Sequence, residues 1–176
     1  MTNLYDHKGR RVRKTTAEAE TTFLYDGWNL IYEREVSGAV TNETLYYWGK
    51  DLSGKLQGAG GVGGLLAVSV DGVFYIPCYD HNGNIVLYVS EAGNIAARYT
   101  YDPYGNITDM SGALATQFSF GFSTKCHDRE TGLVAYQRRF YSPGLGRWLN
   151  RDPIGATVAR WAGVSPWRRR GDTAGA

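Results

Sequence analysis

The sequence predicts an all-β protein: a curved antiparallel sheet of consecutive β-hairpins. Three observations carry this. A Tyr-Asp unit recurs at Tyr5-Asp6, Tyr25-Asp26, Tyr79-Asp80 and Tyr101-Asp102. The run LLAVSV-DG-VFYI sets two β-rich segments around Asp71-Gly72, a pair suited to the left-handed backbone of a tight hairpin turn. From Tyr99 to Gly155, strand-forming aromatics alternate with turn residues, and no helix-length apolar face occurs. With 23 Gly, 13 Tyr and only 5 Pro in 176 residues, the chain is too aromatic for a disordered segment and suits a turn-rich β protein.

Taken in order, the elements repeat. Tyr5 to Tyr25 spans 20 residues and Tyr79 to Tyr101 spans 22, while Gly-Asn recurs at 83–84, 93–94 and 105–106. A period near 20 with a half-period near 10 is one hairpin per repeat. Such hairpins cannot bury an apolar face alone, so they must pair edge to edge into one sheet. Each Tyr then offers a flat ring to stack across strands, and each Asp can hydrogen-bond the turn that follows. Asn82-Gly83 is expected to supply positive φ angles, as Asp71-Gly72 does. ETTFLYDGWNLIYEREV and ETLYYWGKDL add strand pairs before the glycine run GAGGVGG. Gly58, Gly60 and Gly63 spell a dinucleotide fingerprint as a string, yet a strand and a turn follow where that motif needs a helix. The run is expected to be a flexible or bulged connection. Three regions result: hairpin repeats over 1–98, an aromatic region over 99–155, and a divergent basic tail over 156–176, disordered or weakly helical.

Composition excludes several classes. MTNLYDHKGRRVRKTT lacks the apolar core of a signal peptide, and no apolar run approaches a membrane helix. The sequence therefore assigns no compartment. A net charge of +2 gives no strong nucleic-acid signal. Lys8, Arg10, Arg11, Arg13 and Lys14 are expected either on an exposed strand face or as charges that guard a sheet edge against pairing. Two cysteines allow at most one disulfide. Cys78, His81, Cys126 and His127 make a zinc set on paper, but neighbours in a strand point to opposite faces, so no metal and no cofactor is expected. Tyr136, Phe140, Tyr141 and Trp148 are expected as core, with the neighbouring arginines meeting acids or solvent.

The YD units with their Gly-Asn corners, followed by ETGL, RRFYSP and GRWLNRDPIG, resemble the RHS/YD-repeat family. The likeness is specifically to the RHS repeat-associated core region that ends the array. It covers roughly residues 1–155 and is strongest from Tyr79 onward. It implies the terminal arc of a hollow β shell, with Trp148 as a plug. The residues it marks as structural are Tyr25, Asp26, Tyr79, Asp80, Gly83, Tyr101, Asp102, Pro103, Gly105, Trp148, Pro153 and Gly155. It also implies a scaffold that encapsulates and processes a C-terminal toxin or effector in bacterial competition. Its partners would be upstream repeats or a companion shell protein, with the full-length relatives secreted or at the cell surface.

Some members of the resembled family are aspartyl autoproteases, in which two carboxylates share a proton. Asp152 and Arg151 match the RDP motif of that site. The second Asp is not matched: after Gly155 the family's second DPxG segment is replaced by ATVARWAGVSPWRRRGDTAGA, whose one acid is Asp172. That switch is expected of a truncated or frame-shifted end. Two alternatives to a scaffold stay open: self-cleavage, and a cell-surface or carbohydrate-binding module. The second would display exposed Tyr and Trp rings. A third possibility, that the tail touches nucleic acid or anionic lipid, rests on Arg160, Trp161, Trp167 and Arg168–Arg170.

Overall fold

The structure is a computed structural model that describes residues 1–152. Ten strands form one antiparallel sheet in which spatial order equals chain order. They are β1 (Thr2–Tyr5), β2 (Arg11–Thr15), β3 (Glu20–Asp26), β4 (Asn29–Ser37), β5 (Val40–Trp48), β6 (Leu65–Val70), β7 (Val73–Tyr79), β8 (Ile85–Ser90), β9 (Ile95–Tyr101) and β10 (Ile107–Ser111). Four short strands make a second sheet: β11 (Cys126–Asp128), β12 (Leu133–Ala135), β13 (Phe140–Ser142) and β14 (Arg147–Trp148). The large sheet is open. The expected array of consecutive hairpins is therefore what forms.

Turn chemistry explains the corners. Asp71 (φ 48°) and Gly72 (φ 86°) are both left-handed, and Val70 pairs Val73 across them, as the two-residue turn requires. Asn82-Gly83 differs from expectation, because only Gly83 (φ 77°) is left-handed. The corner is longer, and the Asp80 carboxylate organises it. One oxygen accepts the N–H groups of Asn82 and Asn84 at 2.9 Å each, and the other accepts the Asn84 amide at 2.7 Å. Asp102 repeats this with Tyr104 and Asn106, and Asp6 with Lys8 and Arg10. Pro103 fits the second turn position, where its fixed φ is favourable. These bonds hold the Asp102 carboxyl below the usual carboxylate range, the Asn106 side chain contributing most; at Asp80 they overcome burial, which alone would raise it. Asp26 departs from the pattern. Gly27-Trp28 make a two-residue turn there, and the contact is through the Asp26 main-chain carbonyl, which accepts from Gln57 at 3.0 Å.

The glycine run is no flexible link. Residues 58–64 fold as successive turns around buried Asp51. Its carboxylate accepts Ser53 N–H (2.9 Å), Ala59 N–H (2.6 Å), Gly61 N–H (3.1 Å) and the Ser53 hydroxyl (2.5 Å). Burial alone would raise the Asp51 pKa, and these donors instead hold it at about 2. Main-chain donors converging on one buried carboxylate need tightly curled backbone, which the glycines supply.

The core sits on one face of the large sheet. Phe23, Tyr46, Val68, Tyr75, Ile85, Tyr88, Ala97 and Tyr99 are buried there, covered by Ala115, Phe118 and Phe120. Phe118 stacks on Tyr88 (centroids 3.8 Å, planes 8° apart) and meets Tyr75 edge-on at 5.2 Å. Phe120 sits between Tyr46 (5.0 Å) and Trp48 (5.3 Å). Each such pair contributes ~0.5–1.5 kcal/mol beyond the area it buries. The expected ladder of rings running from strand to strand is thus mostly a set of rings meeting the segment laid over them.

Candidate functional site

The chemistry concentrates where the segment from Ala115 to Trp148 lies against the large sheet. Three of the four YD tyrosines tie neighbouring strands of the large sheet beside this seam through their hydroxyls, while Tyr5 is exposed. Tyr25 donates to the Arg11 carbonyl (3.0 Å), Tyr79 to Leu65 (2.5 Å) and Tyr101 to Ile85 (2.9 Å). In each case a ring at the end of one strand satisfies a carbonyl at the start of the strand before it. Burial raises the pKa of all three hydroxyls, which keeps them protonated donors. Ring stacking alone does not describe their role, and the hydroxyl is the part the sequence reading missed.

A short 3-10 turn, Phe122–Thr124, bolts three corners together. The Thr124 hydroxyl donates to the Gly83 carbonyl (2.7 Å) and accepts the Gly63 N–H (2.8 Å). Ser123 N–H donates to Asn84 Oδ1 at 2.7 Å, and the Phe122 ring lies where a side chain on Gly105 would fall, 2.6 Å from a Cβ built there. Ser123 (φ 56°) and Thr124 (φ 49°) are left-handed without being glycine, a conformation costing on the order of 1–3 kcal/mol each. The bonds around them hold that geometry. His127 supports the turn: its Nε2 accepts the Phe122 N–H at 3.0 Å, so the imidazole is neutral. Burial, helped by nearby Arg129, lowers its pKa to about 4.

The basic stretch near the amino terminus is not the solvated face expected of it. Arg11 pairs with Asp128 at 2.5 Å, and Lys14 pairs with Glu130, tying the first hairpin to β11 and the residues after it. Arg13 does stay exposed, 3.8 Å from Glu20. Beside the ion pair, Glu33 is raised above the ordinary carboxyl range by burial and accepts the Tyr46 hydroxyl at 2.8 Å. The thiol of Cys126 is pushed up to about 12 by the same burial.

The remaining predicted residues fall as follows. Cys126 and His127 occupy neighbouring strand positions, and the one available His127 nitrogen lone pair is committed to Phe122. Trp148 packs edge-on against Tyr136 (4.7 Å) and Tyr141 (5.4 Å) within the second sheet, with the Arg139 guanidinium 4.0 Å over its ring. Asp152 is half exposed and lies 3.4 Å from Arg139, so the arginine seen beside it is not only its sequence neighbour Arg151. Pro103 is exposed on its corner. Pro153, Gly155, Asp172 and the tail over 156–176 lie outside the described residues. The sugar-binding alternative called for outward rings: Tyr5, Tyr47, Phe74 and Tyr104 are exposed, whereas Tyr46, Tyr75, Tyr88 and Tyr99 are buried and the YD tyrosines Tyr25, Tyr79 and Tyr101 are tied to main-chain carbonyls.

Consecutive hairpins in one open sheet, with an aromatic segment laid over one face, define a shell-type scaffold. The family described as Teneurin YD-shell matches residues 60–160, and the chain belongs to this RHS/YD-repeat family. It is 30% identical over 152 residues to the tRNA nuclease WapA of Bacillus subtilis (strain 168), covering 85% of this chain and 6% of that one. The tRNA3(Ser)-specific nuclease WapA of Bacillus spizizenii matches to the same extent. Salivary gland surface protein 1 of Aedes aegypti is 33% identical over 106 residues, 58% of this chain and 3% of that one. The chain thus spans about 6% of the length of the WapA relatives. Among solved structures, TcdB2-TccC3-TEV superposes with a TM-score of 0.65 at 20% identity, over 88% of this chain and 8% of that one. TcdB2-TccC3 does so at 0.57 and 16%, over 88% and 9%. These likenesses establish the fold. Among the described residues no helix is long and apolar enough to cross a membrane.

Proposed function

We propose that this chain acts as the terminal arc of a β shell that encloses a C-terminal polypeptide, a toxin or effector as in the RHS proteins it resembles. One observation carries the reading. The segment Ala115–Asp128 is folded back onto the large sheet and bolted to its corners, so that it blocks one face as an end wall would. The outer edges of β1 and β10 accept further hairpins or a companion shell protein, which a complete enclosure requires. On this reading 1–98 are the last repeats, 99–155 the closing region and 156–176 a divergent tail. The structural residues of the corners hold the wall in shape.

A chimera tests it. Further hairpins from a YD-shell relative are placed before Met1 and a protease-sensitive reporter after Ala176. The reporter should be digested more slowly than the same reporter behind an unrelated domain. Equal rates of digestion would refute enclosure.

A further inference from the structure

Between the first hairpins and the second sheet lies a cavity of about 380 Å³. Its size falls in the range of small-ligand sites, ~300–1,000 Å³. Its charge is one-sided. Six cations line it, Lys8, Arg10, Arg11, Lys125, Arg138 and Arg139, and no acid does among the described residues. Three of the six are compensated from outside the lining. Arg10 pairs with Asp6, Arg11 with Asp128, and Arg139 with Asp152. The other three, Lys8, Lys125 and Arg138, form no ion pair among the described residues, and Lys8 is exposed to solvent. Lys125 is 8% exposed, donates one hydrogen to the Gly60 carbonyl and stands 5.6 Å from the centre of the Tyr136 ring. Arg138 lies 5.2 Å over the Trp28 ring.

A buried ammonium costs free energy unless an anion or several acceptors offset it, and here one carbonyl, one ring and the field of the nearby Asp51 carboxylate offset burial only in part. The walls around it are flat and aromatic: Trp28, Trp48 and Tyr136 all line the space. The Trp48 indole N–H is already used by the Leu30 carbonyl at 2.7 Å, so its ring offers an apolar surface. We propose that this cavity binds a small organic oxyanion with a flat apolar body. Lys125 and Arg138 hold its phosphate or carboxylate, and Trp28, Trp48 and Tyr136 flank its ring. Enclosure of a polypeptide is not a premise of this site, so the two are tested separately.

Isothermal titration calorimetry of the full chain with AMP and, separately, with phenylacetate distinguishes the two oxyanions. At least one should bind with 1:1 stoichiometry, more weakly as salt rises. Lys125→Met, which keeps the side chain's bulk, should weaken binding about tenfold, the loss of one charge-assisted bond. Arg138→Gln, at an exposed side chain where folding is not at stake, should weaken it as well. Arg13→Gln, outside the cavity, should leave it unchanged. AMP alone binding assigns a phosphate, and phenylacetate alone a carboxylate. No heat from either probe at millimolar concentration overturns the proposal. So does an affinity indifferent to Arg138→Gln and, where near-UV dichroism shows it folded, to Lys125→Met.

Discussion

Replacing Tyr101 by Phe isolates the hydroxyl that links two strands of the shell. The ring would stay where it stacks beside Tyr99 and Phe122, at centroid distances of 6.3 and 5.8 Å. What disappears is a 2.9 Å bond to the carbonyl of Ile85, a residue with no exposed surface. Water cannot readily replace the lost donor at that depth. The cost is therefore that of leaving a buried acceptor short of a partner, ~1–2 kcal/mol. For a chain of this size ~1 kcal/mol moves the midpoint by ~2–4 °C, so Tm should fall by about 2–8 °C. Tyr101→Ala removes the ring too and should cost ~3–5 kcal/mol. Tyr32→Phe is the control. Its hydroxyl bonds Glu43 at 2.6 Å on the surface, where water takes over. Urea unfolding followed by near-UV dichroism reads all three. Should Tyr101→Phe match the wild type, or match Tyr101→Ala, the hydroxyl has no structural role and the account of the YD tyrosines is wrong.

Other expectations follow from the seam. Gly105→Ala combines a φ of +88° with a Cβ 2.6 Å from the Phe122 ring, whereas Gly93→Ala has φ +81° and open space. The first should cost ~1–3 kcal/mol more than the second, and equal unfolding midpoints would remove the bolt from the argument. Breaking the buried ion pair with Arg11→Met should cost ~3–5 kcal/mol, and adding Asp128→Leu should recover much of it; a double-mutant cycle without coupling contradicts the tie. His127 has its folded pKa lowered from 6.5 to about 4. Between those values the unfolded chain binds more protons, so the histidine makes stability fall as pH drops from about 6.5 to 4. Glu33, raised by burial, opposes this slope above its unfolded pKa, so the comparison must be with His127→Asn measured in parallel. That variant should flatten the decline, and an unchanged slope refutes a neutral buried imidazole. Finally, a scaffold should keep its full mass on storage. A fragment that appears in the wild type and vanishes in Asp152→Asn would make the chain a self-cleaving protease.

Much of the fold was legible because its instructions are local. The Asp6, Asp80 and Asp102 corners, the Asp71-Gly72 turn and the order of hairpins each depend on residues within about one repeat. Periodicity and turn chemistry act at that range. The glycine run was misread because its anchor, Asp51, lies up to ten residues from the N–H groups it collects, and glycine permits order and disorder alike. DLSG, an Asp followed by a turn, was the available signal.

By itself the sequence determined an all-β chain of consecutive hairpins, since strand and turn preferences are stored in neighbouring residues. Only the tertiary structure decided which face is covered and by what. Arg11 meets Asp128 across 117 residues, and Thr124 meets Gly83 across 41. No local preference encodes such a meeting. It arises when the aromatic face of the sheet must be shielded from water and the segment Ala115–Asp128 is the part of the chain that covers it.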